Sequence, residues 1–215
     1  MSALLEYECR VPVGGYDVIT IKGEKTRMLH PRSKRTRRFD LFESGSSTFL
    51  EFAQTPLTED GVKDFANRYG QLTHFLGPQD QDWGRNILIW FENIQRMRRD
   101  VELWRKSTVT GNFSRIIREL RQSLIGGLGL SGVQVGLLLK KDRLSASPKL
   151  CIRPGTLHEA LWAQLVLAID GNLNLRACVQ CRKWFTLEAG RGRSDKEYCS
   201  NACRMRAYRK RKGSG

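Results

Sequence analysis

Four cysteines carry the clearest chemistry in this chain. They fall within 26 residues, as Cys178-x2-Cys181-x17-Cys199-x3-Cys203. A Cys-x2-Cys pair lets two thiolates on one tight turn meet a single ion. Cys199 and Cys203 are four apart, so a helix sets both sulfurs on one face, one turn from each other. Together they supply four soft ligands, the set that tetrahedral structural zinc takes. Four thiolates saturate the ion and leave no position for water, so the predicted cofactor is one structural Zn2+ per chain and not a catalytic one. An iron–sulfur cluster uses the same four ligands and is the alternative. In a reducing compartment this spacing reads as a metal site and not as a disulfide framework. The remaining cysteines, Cys9 and Cys151, stand alone in apolar, strand-like segments and read as small buried side chains.

Charge is gathered around the same residues. The 215-residue chain holds 37 Lys+Arg against 22 Asp+Glu, a net +15. Residues 173–215 hold 12 of those cations against 3 acids, a net +9. Such an excess favours a polyanionic partner, nucleic acid before an anionic membrane surface. The candidate contacts are Arg182, Lys183, Trp184, Arg191, Arg193, Lys196, Arg204, Arg206, Arg209, Lys210, Arg211 and Lys212. Trp184 and Tyr208 could also stack on unpaired bases. Past Cys203 the cations fall almost all round a helical wheel, with Met205 and Tyr208 on the minor apolar side. Like charges such as Arg206 and Lys210 repel across one turn, so phosphates should steady that helix. A solvated tail is the bland reading of the same run.

The elements that must position these groups can be read in turn. Residues 5–21 alternate in two stretches around Gly14-Gly15, the pattern of a hairpin. Two more short strands are predicted at Arg38-Phe-Asp-Leu-Phe and Thr48-Phe-Leu-Glu-Phe, with a basic loop over residues 30–38. Thr58 caps a helix that ends at Gly70. A long helix carries Ile87, Trp90, Phe91, Ile94, Met97, Val101 and Trp104 at helical spacing through Arg105, a core face and not a cofactor box. Asn112 caps a further helix with Phe113, Ile116, Ile117, Leu120 and Leu124 inward, closed by Gly126-Gly127. Two strands flank a turn at residues 140–143, and Thr156-x-x-Glu159 has capping-box spacing for the next helix. A short hinge is predicted at residues 171–175. The fold class is therefore an α+β domain over residues 1–172, followed over 173–215 by a small treble-clef-like four-cysteine zinc finger with a basic helical extension. Phe185 and Tyr198 supply the finger's apolar packing, and Ser200 and Asn201 serve backbone donors at its helix start.

Several classes are excluded on the same grounds. The longest apolar run, residues 161–169, is far short of the ~20 needed to span a bilayer. Glu6 and Glu8 sit where a signal peptide needs cations, so a cytoplasmic protein without a membrane partner is expected. Gly126-Gly127-Leu-Gly129 lacks the Lys-Ser/Thr ending of a phosphate-binding loop and follows a helix. His30, His74 and His158 sit singly, without a paired carboxylate or nucleophile motif, and an enzyme is not predicted.

Cys178-Val-Gln-Cys181-Arg-Lys-Trp-Phe and Tyr198-Cys-Ser-Asn-Ala-Cys203-Arg-Met-Arg resemble the bacterial CGNR-type zinc fingers. The Cys-Gly-Asn-Arg of that family is here Cys203-Arg-Met-Arg. The segment from Phe49-Leu-Glu-Phe-Ala through Phe65-Ala-Asn-Arg-Tyr-Gly70 looks like the N-terminal part of bacterial proteins with such a finger. The resemblance implies an ABATE-like N-terminal domain that senses stress or a small-molecule effector and can dimerise. It implies a DNA-binding transcription regulator of the bacterial cytoplasm. The alternatives are an RNA- or ribosome-associated zinc-finger protein and a protein-interaction adaptor.

Overall fold

A computed structural model describes residues 4–21, 26–42, 47–73, 86–110, 134–142, 145–171, 173–187 and 196–212. They form a mixed α+β structure of small sheets and helices, with one main apolar core to which both helices and strands contribute. Strands β1 (Leu4–Leu5), β2 (Glu8–Pro12), β3 (Tyr16–Thr20), β4 (Arg27–Pro31) and β5 (Thr36–Asp40) open the chain. In β2 the alternation is clear: Cys9 and Val11 are buried while Glu8 and Arg10 face solvent.

The hairpin expected between β2 and β3 does not form. Instead β3 pairs with β4 and β2 with β5, both antiparallel. The Val13 N–H donates to the Arg35 carbonyl at 2.7 Å and the Arg32 N–H to that of Gly15 at 3.0 Å, so one ribbon continues through both ladders. Gly14 and Gly15, at φ 88° and 76°, bend this ribbon and do not reverse it. Gly15 has a second constraint. A Cβ there would lie 2.2 Å from Asn67 Oδ1, which accepts the Tyr16 N–H at 2.7 Å. The basic stretch 30–38 is thus part of the ribbon, and several of its cations are engaged: Arg32 with Asp17, Arg38 with Glu8, Arg37 with the Asn67 carbonyl.

Thr48-Phe-Leu-Glu-Phe, expected as a strand, is helix α1 (Thr48–Ala53). Phe49, Phe52 and Ala53 recur at three- and four-residue spacing and turn inward, while Glu51 pairs with Arg68. A short apolar run does not distinguish helix from strand; packing decides. Helix α2 (Glu59–Tyr69) starts where Thr58 Oγ1 accepts the Gly61 N–H at 3.1 Å and stops at Gly70. Helix α3 (Ile87–Thr110) buries Ile87, Trp90, Ile94, Met97, Val101 and Trp104, and runs past the expected end at Arg105. The helix expected from Asn112 and the glycine segment after it lie outside the described residues. Strands β6 (Gln134–Asp142) and β7 (Ser145–Arg153) pair antiparallel, and β1 joins β7 in parallel.

Helix α4 (Leu157–Asp170) carries the capping box. Thr156 Oγ1 accepts the Glu159 N–H at 3.1 Å, and the Glu159 carboxylate accepts the Thr156 N–H at 3.2 Å. Residues 157–165 are all buried, so this is the central helix and not a one-sided surface one. Trp162 Nε1 is buried without a hydrogen-bond partner among the described residues, whereas Gln164 and His158 are bonded in place. Gln164 Oε1 accepts the Phe49 N–H at 3.0 Å. Asn93 Nδ2 is given to the Ile89 carbonyl, which leaves Asn93 Oδ1 to accept from His158 Nε2 at 3.0 Å. Around α4, the Phe52 ring lies 5.1 Å from Phe65, 6.1 Å from Trp90 and 6.4 Å from Trp162. Strands β8 (Asn174–Ala177) and β9 (Trp184–Leu187) and helix α5 (Asn201–Lys212) complete the chain. Within the hinge expected over 171–175, Leu173 and Leu175 are packed: the Leu173 N–H donates to the Ala168 carbonyl, and Leu175 belongs to the main core.

Candidate metal centre

β8 and β9 pair antiparallel with Ala177 opposite Trp184, so the six residues between them form a closed turn. The Arg182 N–H donates to the Cys178 carbonyl at 2.8 Å and the Cys178 N–H to the Lys183 carbonyl at 2.9 Å. This turn carries Cys178 and Cys181. Arg182 follows at φ 60°, the left-handed region that favours glycine, and is the one non-glycine residue there among those described. The Val179 N–H donates to the Glu197 carbonyl at 3.1 Å and ties the turn to the segment that delivers Cys199. Ser200 starts α5: its Oγ accepts the Cys203 N–H at 3.3 Å and its carbonyl the Arg204 N–H at 3.1 Å. Cys203 thereby returns to Cys199 across one turn.

These constraints gather four sulfurs, all within 4.8 Å of one another. Cys181 and Cys199 are 3.6 Å apart, as are Cys199 and Cys203. Ligands about 2.3 Å from a tetrahedral zinc lie about 3.8 Å apart, so the donor set fits such an ion. A disulfide needs about 2.05 Å and is not formed. A multi-iron cluster places its thiolates on different irons and holds them farther apart. Cys178 is fully buried and Cys203 nearly so. Among the described residues only Phe185 joins them in the finger's buried cluster, with Tyr198 and Leu187 packed alongside. So small an apolar cluster needs a cross-link.

The thiols differ in acidity. Burial disfavours the Cys178 thiolate, but the backbone N–H groups of Cys199, Cys181 and Gln180 outweigh it and bring it down to about 6. Cys199 is pushed up to about 12, first by burial and then by the neighbouring sulfurs of Cys203, Cys181 and Cys178. Cys181 is raised for the same first reason. Four thiolates cannot share this space unaided; a soft divalent cation is what lets them ionise together.

The candidate nucleic-acid residues divide into three groups. Arg182 and Lys183 on the turn, Lys196, and Arg204, Arg206, Arg209, Lys210, Arg211 and Lys212 on α5 are all exposed. Arg191 and Arg193 lie outside the described residues. Trp184 is half-buried and packs on the main core. Its backbone N–H donates to Gln54 Oε1 at 2.9 Å, and Gln54 Nε2 donates back to its backbone carbonyl at 3.4 Å. The inward face of α5 is Cys203 and Ala207, while Met205 and Tyr208 are 44% and 48% exposed. The finger's seat on the body went unread in the sequence: Gln54 on Trp184, Ser47 Oγ on Thr186 Oγ1 at 3.1 Å, and Leu175 in the core. The inward alternation of Leu173 and Leu175 was the available signal. No described helix is long and apolar enough to cross a membrane. No protein-family model matches this chain, and no curated protein matches it.

Proposed function

We propose that this is a zinc-dependent nucleic-acid-binding protein, a DNA-binding transcription regulator whose finger is a treble clef. The observation that carries the reading is the join between metal cluster and basic helix. Cys203 is at once one of the four clustered thiols and, with Ala207, the inward face of α5. Six cations of α5 then point to solvent from a fixed base. One structural zinc, held by Cys178, Cys181, Cys199 and Cys203, cross-links the turn to the helix and contributes charge neutralisation but no reaction step. Twelve helical residues span about 18 Å in length, and a helix about 10–12 Å across enters the DNA major groove, which is about 12 Å wide. Phosphates answer the mutual repulsion of the α5 cations, and counterion release supplies the affinity. Residues 1–172 then serve as the sensing or dimerising part of a bacterial cytoplasmic regulator.

Tyr208, exposed beside Lys212, favours a second reading in which unpaired RNA is the target. Competition binding of zinc-loaded protein to matched duplex DNA and single-stranded RNA separates the two. Preference for duplex, with Tyr208→Ala affecting both alike, supports the regulator. Preference for the single strand, lost in Tyr208→Ala, overturns it in favour of RNA.

A further inference from the structure

A cleft of about 720 Å³ lies where the finger meets the body, between α1, α2 and β9. The volume is within the range of small-molecule sites. Among its lining residues Glu51 and Arg68 answer each other in an ion pair, and four further charges remain. Asp60 and Asp64, one turn apart on α2, contribute carboxylates, and Lys183 and Lys196 on the finger contribute ammonium groups. The half-buried Trp184 gives apolar surface to the same cleft.

These four charges are not consumed inside the fold. Other acids and bases near one another are paired: Asp17 with Arg32 and Lys63, Glu59 with Arg27, and, on the cleft wall itself, Glu51 with Arg68. Asp60, Asp64, Lys183 and Lys196 form no ion pair among the described residues. The helix dipole accounts for an acid in the first turn at Asp60, but not for Asp64 beyond it, where two like charges at i, i+4 repel. Lys196 Nζ is held 5.5 Å over the Phe185 ring, and the Gln54 bonds hold Trp184, so the finger side of the cleft is fixed.

We propose that this cleft binds a small zwitterion of peptide type. Its ammonium group meets Asp60 and Asp64, its carboxylate meets Lys183 and Lys196, and its apolar middle lies on Trp184. A ligand with one charge leaves one pair unanswered; a neutral apolar one leaves both.

The test uses the full-length zinc-loaded protein without nucleic acid, so its failure is separate from failure of the nucleic-acid reading. The probes are the dipeptide Gly-Leu, its N-acetyl form and its C-terminal amide. The readout is the NMR signal of the Trp184 indole N–H, assigned with Trp184→Phe. Gly-Leu should shift that signal saturably at millimolar concentration, and each blocked form should bind about tenfold more weakly. In Asp60→Asn with Asp64→Asn, Gly-Leu and the N-acetyl form should become equal. In Lys183→Gln with Lys196→Gln, Gly-Leu and the amide should become equal. All four positions are exposed, so these variants should keep the fold. No shift with Gly-Leu, equal binding of all three peptides, or equal loss for every probe in both variants overturns the proposal.

Discussion

Removing the metal should unfold part of the finger and spare the rest, along a boundary the hydrogen bonds define. The buried cluster around the cysteines is Cys178, Phe185 and Cys203. One buried Phe contributes about 3 kcal/mol at most, while fixing each residue's backbone costs about 1–2 kcal/mol. Seventeen residues from Lys196 to Lys212 lean on that cluster, so with the proposed zinc bound their ordering would rest on the roughly 10–16 kcal/mol that structural zinc supplies in small domains. β8 and β9 are different: Leu175 is in the main core and Trp184 is bonded to Gln54. Hydrogen exchange with and without a tight chelator reads this residue by residue. The amides of Val179, Arg182, Cys203 and Arg204 should lose protection on chelation. The Trp184 amide should keep most of its own. Protected Cys203 and Arg204 amides in metal-free protein, or a Trp184 amide that opens with them, would refute the reasoning.

Two substitutions test other parts of the structure. Arg182→Gly relieves a left-handed non-glycine residue, a cost of about 1–2 kcal/mol, less the greater entropy glycine loses on ordering. Zinc should bind about fivefold tighter by chelator competition; unchanged or weaker binding counts against strain in the turn. Burial, and then the charge of Arg96, pull His158 down to about 4 from its ordinary value. The folded state therefore prefers the neutral ring, and the unfolded chain takes up the proton first as pH falls. Stability from this residue should be complete above about pH 6.5 and fall by about 3 kcal/mol on reaching pH 4. Urea unfolding of wild type and His158→Gln at pH 7 and pH 4.5 measures it; equal pH dependence in both proteins contradicts the assignment.

Local chemistry was legible in the sequence, and distant pairing was not. The cysteine spacing anticipates the sulfur cluster, Thr58 and the Thr156–Glu159 pair anticipate two helix starts, and the stripe from Ile87 to Trp104 anticipates the face α3 buries. Each depends on residues within one or two turns. The ribbon was misread because Gly14-Gly15 signals a change of direction without stating its angle, and the partner of β2 lies beyond β4. α1 was misread because a five-residue run rich in Phe and Leu suits either period until its neighbours are known. Trp184 carried an ambiguous signal: an aromatic among cations reads as a base-stacking group, whereas Gln54, 130 residues earlier, bonds its backbone on both sides.

If helix α5 is the nucleic-acid contact, as proposed, binding must weaken steeply as salt rises. Nine described cations of the finger are exposed: Arg182, Lys183, Lys196, Arg204, Arg206, Arg209, Lys210, Arg211 and Lys212. If about half of them reach phosphates, log K for duplex DNA should fall against log salt with a slope near −4. Replacing the six α5 cations with Gln leaves the inward Cys203 and Ala207 untouched, so zinc content should stay at about one per chain. The slope should then shrink to about −1 to −2. A wild-type complex indifferent to salt, or a slope unchanged in the six-fold variant, contradicts α5 as the contact.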